Sequence, residues 1–299
     1  MLKGNISVVI INYNGEKFAE KLINSLNSQT EEYGEVIIID NNSKDASFFY
    51  FLEKLKNVTL FRLSENKGFG YAVNLGVKQA KFENILLLNN DTFIENDFIE
   101  KSLKNISNFK GYSFFAPLVL NYDGTYVDSA GDSVGKFLRP YKNFHKKEYK
   151  NLKLENSEVN GFSMSICYFV KDDFIKEGMV DEKFFMYFED VDFSLRLKRK
   201  KRKILFTPDT VGYHFISAST KIENSMSEYS SKKVFWEGRN RVFLFFKNYN
   251  LYSIKDWFFF LIGTLISSYF HLFKTKKFFW FVKGLFEGFF DLKGIKKYG

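Results

Sequence analysis

Four short apolar runs, each ending in a polar cluster and each separated from the next by a segment of helical length, constrain the fold of this chain most. They are "ISVVIIN" (6–12), "EVIIID" (35–40), "VTLFRL" (58–63) and "NILLLN" (84–89), and a fifth run, "YSFFAPLVL" (112–120), follows. Strand alternating with helix predicts a parallel sheet wrapped by helices. The near-continuous hydrophobicity of the strands fits burial on both faces. Within "EKFAEKLINSLNSQ" (16–29), Phe18, Leu22, Ile23 and Leu26 share one helical face. With 299 residues the chain can bury such a core and carry an appendage as well.

In an open α/β sheet, ligands collect beyond the carboxyl ends of the strands. The segments expected there are "NYNGE" (12–16), "DNNSKD" (40–45), "SENKGFGYAVN" (64–74) and "NNDTF" (89–93), all polar and all on one edge. Asp91 is placed to reach a divalent cation, with amide oxygens or water completing a hard-oxygen shell; the plainer alternative is a helix cap. Asp40 can accept the N3–H of a pyrimidine, and Tyr13 can stack on the same base. The glycines of "NKGFGYAVNLG" (66–76) pass only loosely for a dinucleotide-binding fingerprint, because the third is displaced and the motif follows the third strand. A nicotinamide dehydrogenase is therefore disfavoured.

From 121 to 158 the pattern lapses, and a turn at Asp123-Gly124 followed by a Lys-rich stretch reads as a hairpin and a mobile loop. The lone cysteine, Cys167 in "SICYFV", excludes an intrachain disulfide and reads as a buried, inert thiol. In "FFMYFEDVDFSLRLK" (184–198), Glu189, Asp190 and Asp192 stand where aromatic residues give way to an amphipathic helix. A helix N-terminus favours ionised carboxylates, and one beside an acceptor hydroxyl can serve as a general base; a capping cluster is the alternative. His214, after the strand-like "KILFTPD", suits a metal ligand or phosphate donor, or a structural histidine.

The formal charge of +9 is unevenly spread: residues 195–203 hold seven basic side chains in nine, and 251–299 hold eight Lys against three acids. Such patches suit phosphate-rich partners or a solvated face. Residues 257–273 are seventeen without a charge, assuming a neutral His271, short of the ~20 that span a bilayer. In 274–297, Lys277, Lys283, Gly284, Glu287, Asp291 and Gly294 form one stripe, opposite Phe278, Phe279, Val282, Phe286 and Phe289. That arrangement suits a helix lying in a membrane interface, with core packing as the alternative. The N-terminus reads as a first strand and not as a signal peptide.

Taken in order, "VVIINYNG", "VIIIDNNSKD", "ENKGFGYAVNLG", "ILLLNNDTFI", "VNGFSMSICYFV", "FFMYFEDVDFSLRLK" and "ILFTPDTVGYH" resemble the family 2 glycosyltransferases of GT-A fold, in particular the rhamnosyltransferase-like branch. The resemblance covers about residues 5–247, "EGRNRVFLFFKNY" (237–249) included. It implies an α/β fold in which residues 1–225 form a GT-A catalytic domain, a Rossmann-like mixed sheet flanked by helices. Residues 226–299 would then be a helical, membrane-associating extension.

The activity implied is inverting transfer of a sugar, rhamnose being the family-level example, from a UDP- or dTDP-sugar to a hydroxyl of a cell-surface glycan or lipid-linked precursor. A divalent cation, Mg²⁺ or Mn²⁺, is the implied cofactor. The expected setting is cytoplasmic and peripheral, on the anionic inner face of the cell membrane, with no nucleic-acid partner. By position, Tyr13, Asn14 and Asp40 would hold the nucleobase and ribose, and Asn66, Lys67 and Gly68 would approach the ribose and diphosphate. Asn89, Asn90 and Asp91 stand where relatives have Asp-x-Asp, with Asp91 and His214 as metal ligands. Asp190 would be the base, Glu189 would orient the acceptor, and Arg239 would steady the diphosphate. Asn89 departs from the family pattern, which puts strict metal dependence in question. No Gln-x-x-Arg-Trp of processive enzymes is present. Two rivals remain: a sugar nucleotidyltransferase, which lacks its Gly-rich triphosphate loop here, and a basic nucleic-acid or membrane-surface adaptor.

Overall fold

The computed structural model describes residues 5–134, 140–215, 226–249, 251, 253–272 and 275–293. The chain opens with β1 (Ile6–Asn12), α1 (Glu16–Asn27), β2 (Glu35–Asp40), α2 (Ser47–Lys54), β3 (Val58–Arg62), α3 (Phe69–Gln79) and β4 (Asn84–Asn89). It continues with β5 (Thr92–Ile94), α4 (Phe98–Asn108), β6 (Phe114–Asn121), β7 (Val127–Ser129), β8 (Asp132–Val134), β9 (Pro140–Lys142) and β10 (Ser157–Val159). The remaining elements are β11 (Ile166–Val170), α5 (Lys171–Lys176), α6 (Glu189–Arg199), β12 (Ile204–His214), α7 (Met226–Asn248), α8 (Ile254–Leu272) and α9 (Thr275–Phe290).

The sheet runs β10-β12-β6-β11-β4-β1-β2-β3, with β5 added to β12 and β7 to β6. The four early strands pair in parallel, as their alternation with helices requires. The fifth apolar run does not lie beside β4: β11 inserts between them, antiparallel to both, which makes the sheet mixed. The two runs expected at 203–209 and 211–215 form one strand, β12, whose register against β6 shifts between Thr207 and Val211. Pro208 lies inside that shift, where its missing N–H leaves no ladder bond unmade.

Alternate residues of the central strands feed two cores. Val9, Ile11, Ile37 and Ile39 pack against Ala72, Val73 and Val77 of α3 and Phe193 and Leu197 of α6. Val8, Ile10 and Ile38 pack against Leu22, Ile23 and Leu26 of α1 and Phe98 and Ile99 of α4. Burial on both faces fixes the register, since a one-residue slip would exchange the two cores. Cys167 is buried, as expected.

The stretch read as a hairpin and mobile loop is more ordered than that. The turn at Gly124 is present (φ 76°), with the Asp123 carboxylate accepting from the Thr125 amide. β7 then pairs with β6, and β8 pairs with β9. Toward the C-terminus, α7 is joined to the sheet domain by the Lys247 ammonium, which meets Asp192 at 2.9 Å and also pairs with Asp181. α9 lies on α7 through glycines. A Cβ on Gly284 would sit 2.1 Å from the Phe235 carbonyl oxygen, and one on Gly238 would sit 2.4 Å from that of Phe281. Gly284 and Asp291 thus turn toward α7, contrary to a wholly solvent-facing polar stripe, while Phe279, Phe286, Phe289 and Phe290 are exposed. Gly294 and the rest of 294–297 lie outside the described residues. Among the described residues, no helix is long and apolar enough to cross a membrane.

Candidate active site

The polar strand tips are knitted into one edge. The buried Asn12 amide donates to Asp40 Oδ1 (2.8 Å), Ser43 Oγ (3.2 Å) and Ser47 Oγ (2.8 Å), while Asn12 Oδ1 accepts from Asn90 Nδ2 (2.9 Å). Asn41 bridges the next pair of tips, donating to the Gly68 carbonyl (3.1 Å) and accepting from the Lys67 amide (2.8 Å). Tyr13 is 45% exposed beside this edge, open to a planar ligand. Asn14, at φ 49°, donates its main-chain N–H to Ser43 and accepts the Lys44 amide, tying the first two tips together.

Asp40 is fully buried, and its carboxylate already serves Asn12, the Ser43 amide and Arg62 (3.4 Å). It therefore lies behind the cleft surface as an organiser of the tips. Asn66 caps the turn by accepting from the Gly68 amide, and the exposed Lys67 ammonium lies 5.0 Å over Tyr71. Gly68 is needed for a close approach within the protein. At φ 87°, a Cβ there would stand 2.5 Å from the Phe185 carbonyl oxygen, which accepts the Phe69 amide.

Asn89, Asn90 and Asp91 form the turn between β4 and β5, so Asp91 follows the strand instead of ending it. Asn90 is spent on the β1 tip, through Asn12 and the Tyr13 carbonyl (3.2 Å). Asp91 Oδ2 lies 3.4 Å from His214 Nε2. Asn89 Oδ1 and Asp91 Oδ1 are buried with no hydrogen-bond partner among the described residues. Orphaned oxygens are rare in folded proteins and call for a ligand. A hard divalent cation fits the oxygens of Asn89 and Asp91 with the ring nitrogen of His214. Among the described residues, no three His, Cys, Asp or Glu gather into a full cage, so phosphate oxygens and water would complete the shell. Burial lowers the His214 pKa, but the flanking Asp128 and Asp91 carboxylates outweigh it and push the ring up to about 9.

Glu189 and Asp190 open α6 after a contorted approach in which Phe185, Tyr187 and Phe188 all have positive φ (62°, 68° and 71°). Bulky residues adopt such angles only when their surroundings force them to. The force comes from Asn240 of α7, fully buried, whose amide donates to the carbonyls of Phe184 (2.9 Å), Met186 (2.7 Å) and Tyr187 (2.8 Å). Burial raises the pKa of Glu189 well above the usual range, with the Asp190 charge adding to it, and Glu189 Oε2 has no partner among the described residues. Burial also raises Asp190, against the Val191 and Met164 amides and the Lys142 ammonium.

Adjoining main chain links the surroundings of Asp190 to those of Asp91. The Met164 amide faces Asp190, and the adjoining Ser165 carbonyl accepts the Asn89 amide at 2.9 Å. A second bridge comes from residues that sequence reasoning missed. Asp128 of β7, 1% exposed, receives the Lys142 ammonium on both oxygens at 2.9 Å and contacts His214 Nδ1 at 3.1 Å. The Lys142 charge also acts on Asp190 and Asp132. Asp132 is pushed up to about 7 by burial, with Asp190 and Asp128 adding to it and Lys142 opposing. The only sequence signal was a pair of acids in "DSAGD" (128–132) just past the β6 tip, within a stretch read as loop.

Two expected site residues are committed elsewhere. The Arg239 guanidinium, 10% exposed, donates to the Lys183 carbonyl (3.1 Å) and Asp291 (2.8 Å) and lies over Phe243 (4.4 Å). It joins α7 and α9 to the 183 loop through these contacts. Asp192 is fully buried on Lys247 and Asn248, which leaves Glu189 and Asp190 as the candidates of the acid cluster. The 195–203 run is also largely consumed: Arg196 is buried on the Glu177 and Met179 carbonyls, Lys200 and Arg202 pair with Glu177, and Lys203 pairs with Glu158.

Comparison with known proteins bears on this geometry. The family model described as Glycosyl transferase family 2 matches residues 7–174. The N-acetylglucosaminyl-diphospho-decaprenol L-rhamnosyltransferase of Mycobacterium tuberculosis (strain ATCC 25618 / H37Rv) is 26% identical over 237 residues, covering 72% of this chain and 77% of that protein. The dTDP-rhamnosyl transferase RfbF of Shigella flexneri is 25% identical over 272 residues, 89% of this chain and 88% of its own. The putative glycosyltransferase EpsH of Bacillus subtilis (strain 168) is 27% identical over 165 residues, and the match spans 46% of its length. Among solved structures, the mannosyltransferase PcManGT of Pyrobaculum calidifontis, in complex with GDP-Man and Mn²⁺, superposes with a TM-score of 0.58 over 97% of this chain and 88% of its own, at 10% identity. Residues 1–349 of S. aureus TarS, in complex with UDP, superpose with a TM-score of 0.53 over 90% of this chain and 70% of that one, at 17% identity. At such identities these likenesses establish a shared fold.

Proposed function

This chain belongs to glycosyl transferase family 2, and from that premise we propose that it moves one sugar, with inversion, from a nucleoside-diphosphate sugar to a hydroxyl of a glycan or lipid-linked precursor. The observation that carries the reading is the chain of contacts that links the Asp91–His214 pair to the surroundings of Asp190, through Met164–Ser165 and through Asp128 and Lys142. Tyr13 and the tip loops receive the nucleotide, and the exposed Lys67 faces the diphosphate side. Asn89, Asp91 and His214 would hold a Mg²⁺ or Mn²⁺ ion, which would supply positive charge against the leaving diphosphate. Asp190 accepts the proton of the acceptor hydroxyl while that oxygen forms its bond to the anomeric carbon. The bond to the diphosphate breaks on the opposite face, so a single displacement inverts the centre. Burial raises the proton affinity of Asp190, which suits a base. Glu189, whose proton affinity burial also raises, orients the acceptor. Names of the M. tuberculosis and S. flexneri relatives favour a dTDP-rhamnose donor.

The tail supports attachment to an anionic membrane surface at the inner face of the cell membrane. Ile254, Phe258, Leu261, Leu265 and Tyr269 form one exposed face of α8, and Phe279, Phe286 and Phe290 one of α9. The half-buried Lys277 and the exposed Lys283 belong to the same helix as the second face. An apolar face with a basic margin matches an interfacial helix.

Nucleoside diphosphate release, measured with a panel of sugar nucleotides and a lipid-linked acceptor, tests the reaction. Asp190→Asn should lose about 10²–10⁴-fold in turnover with little change in donor binding, and normal turnover by that variant would remove the base assignment. Proton NMR of the glycoside formed reads the anomeric outcome. For the tail, Phe279→Ser/Phe286→Ser/Phe290→Ser should abolish sedimentation with vesicles containing phosphatidylglycerol while leaving activity on a water-soluble acceptor intact. Retained vesicle binding would refute the membrane face.

A further inference from the structure

We infer that Asp128 is a positioning residue of the cation site: it fixes the His214 ring so that Nε2, and not Nδ1, is presented to the metal beside Asp91. The inference rests on the metal reading proposed above and extends it to a residue that reading does not use. His214 closes β12 and lies between two carboxylates, with Nδ1 at 3.1 Å from Asp128 Oδ2 and Nε2 at 3.4 Å from Asp91 Oδ2. The two contacts are not equivalent. Asp128 is sealed in the protein (1% exposed), and its own orientation is set by Lys142, which donates to both oxygens at 2.9 Å. The main chain of Asp128 is held as well: its carbonyl contacts His145 Nδ1 at 2.9 Å, and the flanking Val127 exchanges main-chain hydrogen bonds with Lys146 and Lys147. Asp91, in contrast, keeps one oxygen without a partner among the described residues and sits at the cleft.

A ring that donates from Nδ1 to a rigid carboxylate can offer only its Nε2 lone pair to a metal. Outer carboxylates of this kind orient metal-bound histidines and raise their basicity. The site has an unusual need for such support, because Asn89 stands where a second carboxylate would otherwise add charge. With one fewer anionic ligand, metal affinity depends more on the geometry and basicity of His214. Lys142, carried by β9, is then the residue that keeps Asp128 itself aligned.

Mn²⁺ alone and Mn²⁺ with UDP or dTDP are the probes, with two readouts on the full chain. Free Mn²⁺ measured by electron paramagnetic resonance gives the dissociation constant, and ¹⁴N modulation of the electron spin echo reports a directly bound imidazole. Wild type should show the ¹⁴N modulation, and His214→Ala should lose it. Asp128→Ala should weaken Mn²⁺ binding by about 10–100-fold and diminish the modulation, and Asp128→Asn, which keeps an acceptor for Nδ1–H, should restore part of both. Because Asp128→Ala leaves the half-buried Lys142 ammonium without its hydrogen-bonded partner, Asp128→Leu/Lys142→Met provides a second route that removes both charges together. It should show the same loss of affinity in a folded protein. If His214→Ala impairs Mn²⁺ binding while Asp128→Ala and Asp128→Leu/Lys142→Met both bind with wild-type affinity and full modulation, the Asp128 inference is overturned and the metal site stands. If wild type shows no ¹⁴N modulation and His214→Ala binds Mn²⁺ normally, the metal site fails and the inference fails with it.

Discussion

Asn240→Asp is the most informative single change, because it preserves shape while reversing the polarity of one buried group. The Asn240 amide donates to three main-chain carbonyls, at 2.9, 2.7 and 2.8 Å, from a residue with no exposed surface. Two N–H groups shared over three acceptors amount to about two full hydrogen bonds. Leaving buried carbonyls unpaired costs about 1–3 kcal/mol each, so Asn240→Ala should destabilise by roughly 2–6 kcal/mol. Asn240→Asp should cost at least as much, since a carboxylate would face three carbonyl oxygens. For a chain of this size that corresponds to a fall in melting temperature of roughly 4–10 °C.

The functional effect should exceed the loss of stability. The clamped segment contains Phe185, Tyr187 and Phe188 at positive φ, each held at a cost of about 1–3 kcal/mol. When the clamp goes, that strain relaxes and Glu189 and Asp190 lose their place. Calorimetry together with steady-state kinetics below the lowered melting temperature is the assay. The reasoning predicts a fall in kcat with donor KM little changed. An Asn240→Asp protein that melts and turns over like wild type would refute it.

Gly68→Ala should destabilise by about 1–3 kcal/mol and raise donor KM, because the new Cβ meets the Phe185 carbonyl at 2.5 Å and φ is 87°; a wild-type KM and melting temperature would contradict the docking of the 64–68 loop on Phe185. Asp190→Asn should raise the melting temperature at pH 7 while turnover is lost. The folded chain holds the Asp190 proton more tightly than the unfolded chain, so ionisation destabilises it at pH above the unfolded carboxyl pKa, and the gain should vanish below about pH 4. A variant less stable at pH 7 would show that the charge is compensated in the native state. Asp132→Asn should behave alike over the window from about pH 4 to the folded value of about 7, and a melting temperature independent of the substitution across that window would contradict its burial as an acid.

Much of the scaffold was legible because strand and helix periodicities are local. "ISVVIIN", "EVIIID" and "NILLLN" became β1, β2 and β4 with almost the same bounds, and Phe18, Leu22, Ile23 and Leu26 are all buried on α1. The position of β11 between β4 and β6 was not legible, since no local pattern records which strands pair. Asp91, His214, Glu189 and Asp190 stand out as candidates in the sequence because strand ends and a helix start mark their positions. Arg239 was assigned by its position in the family resemblance, and the structure engages its charge with Asp291 and the Lys183 carbonyl. Its neighbour Asn240 carried no signal, because a buried amide that clamps a loop looks like any helix-surface asparagine until tertiary contacts exist. Asp128 and Lys142 were hidden for a similar reason, since 14 residues of apparent loop separate two halves of one ion pair. In the tail, charge pattern suggested which stripe faces water, but glycine-mediated approach to α7 overrode it at Gly284.

The most direct test is a structure of the chain with Mn²⁺ and a non-hydrolysable nucleoside-diphosphate sugar. The account predicts the metal in coordination contact with Asp91 and His214 Nε2 and with the diphosphate, and the Asp190 carboxylate beside the anomeric carbon on the face away from the leaving group. A donor bound with its anomeric carbon remote from Asp190, or a metal that ignores both Asp91 and His214, would contradict it.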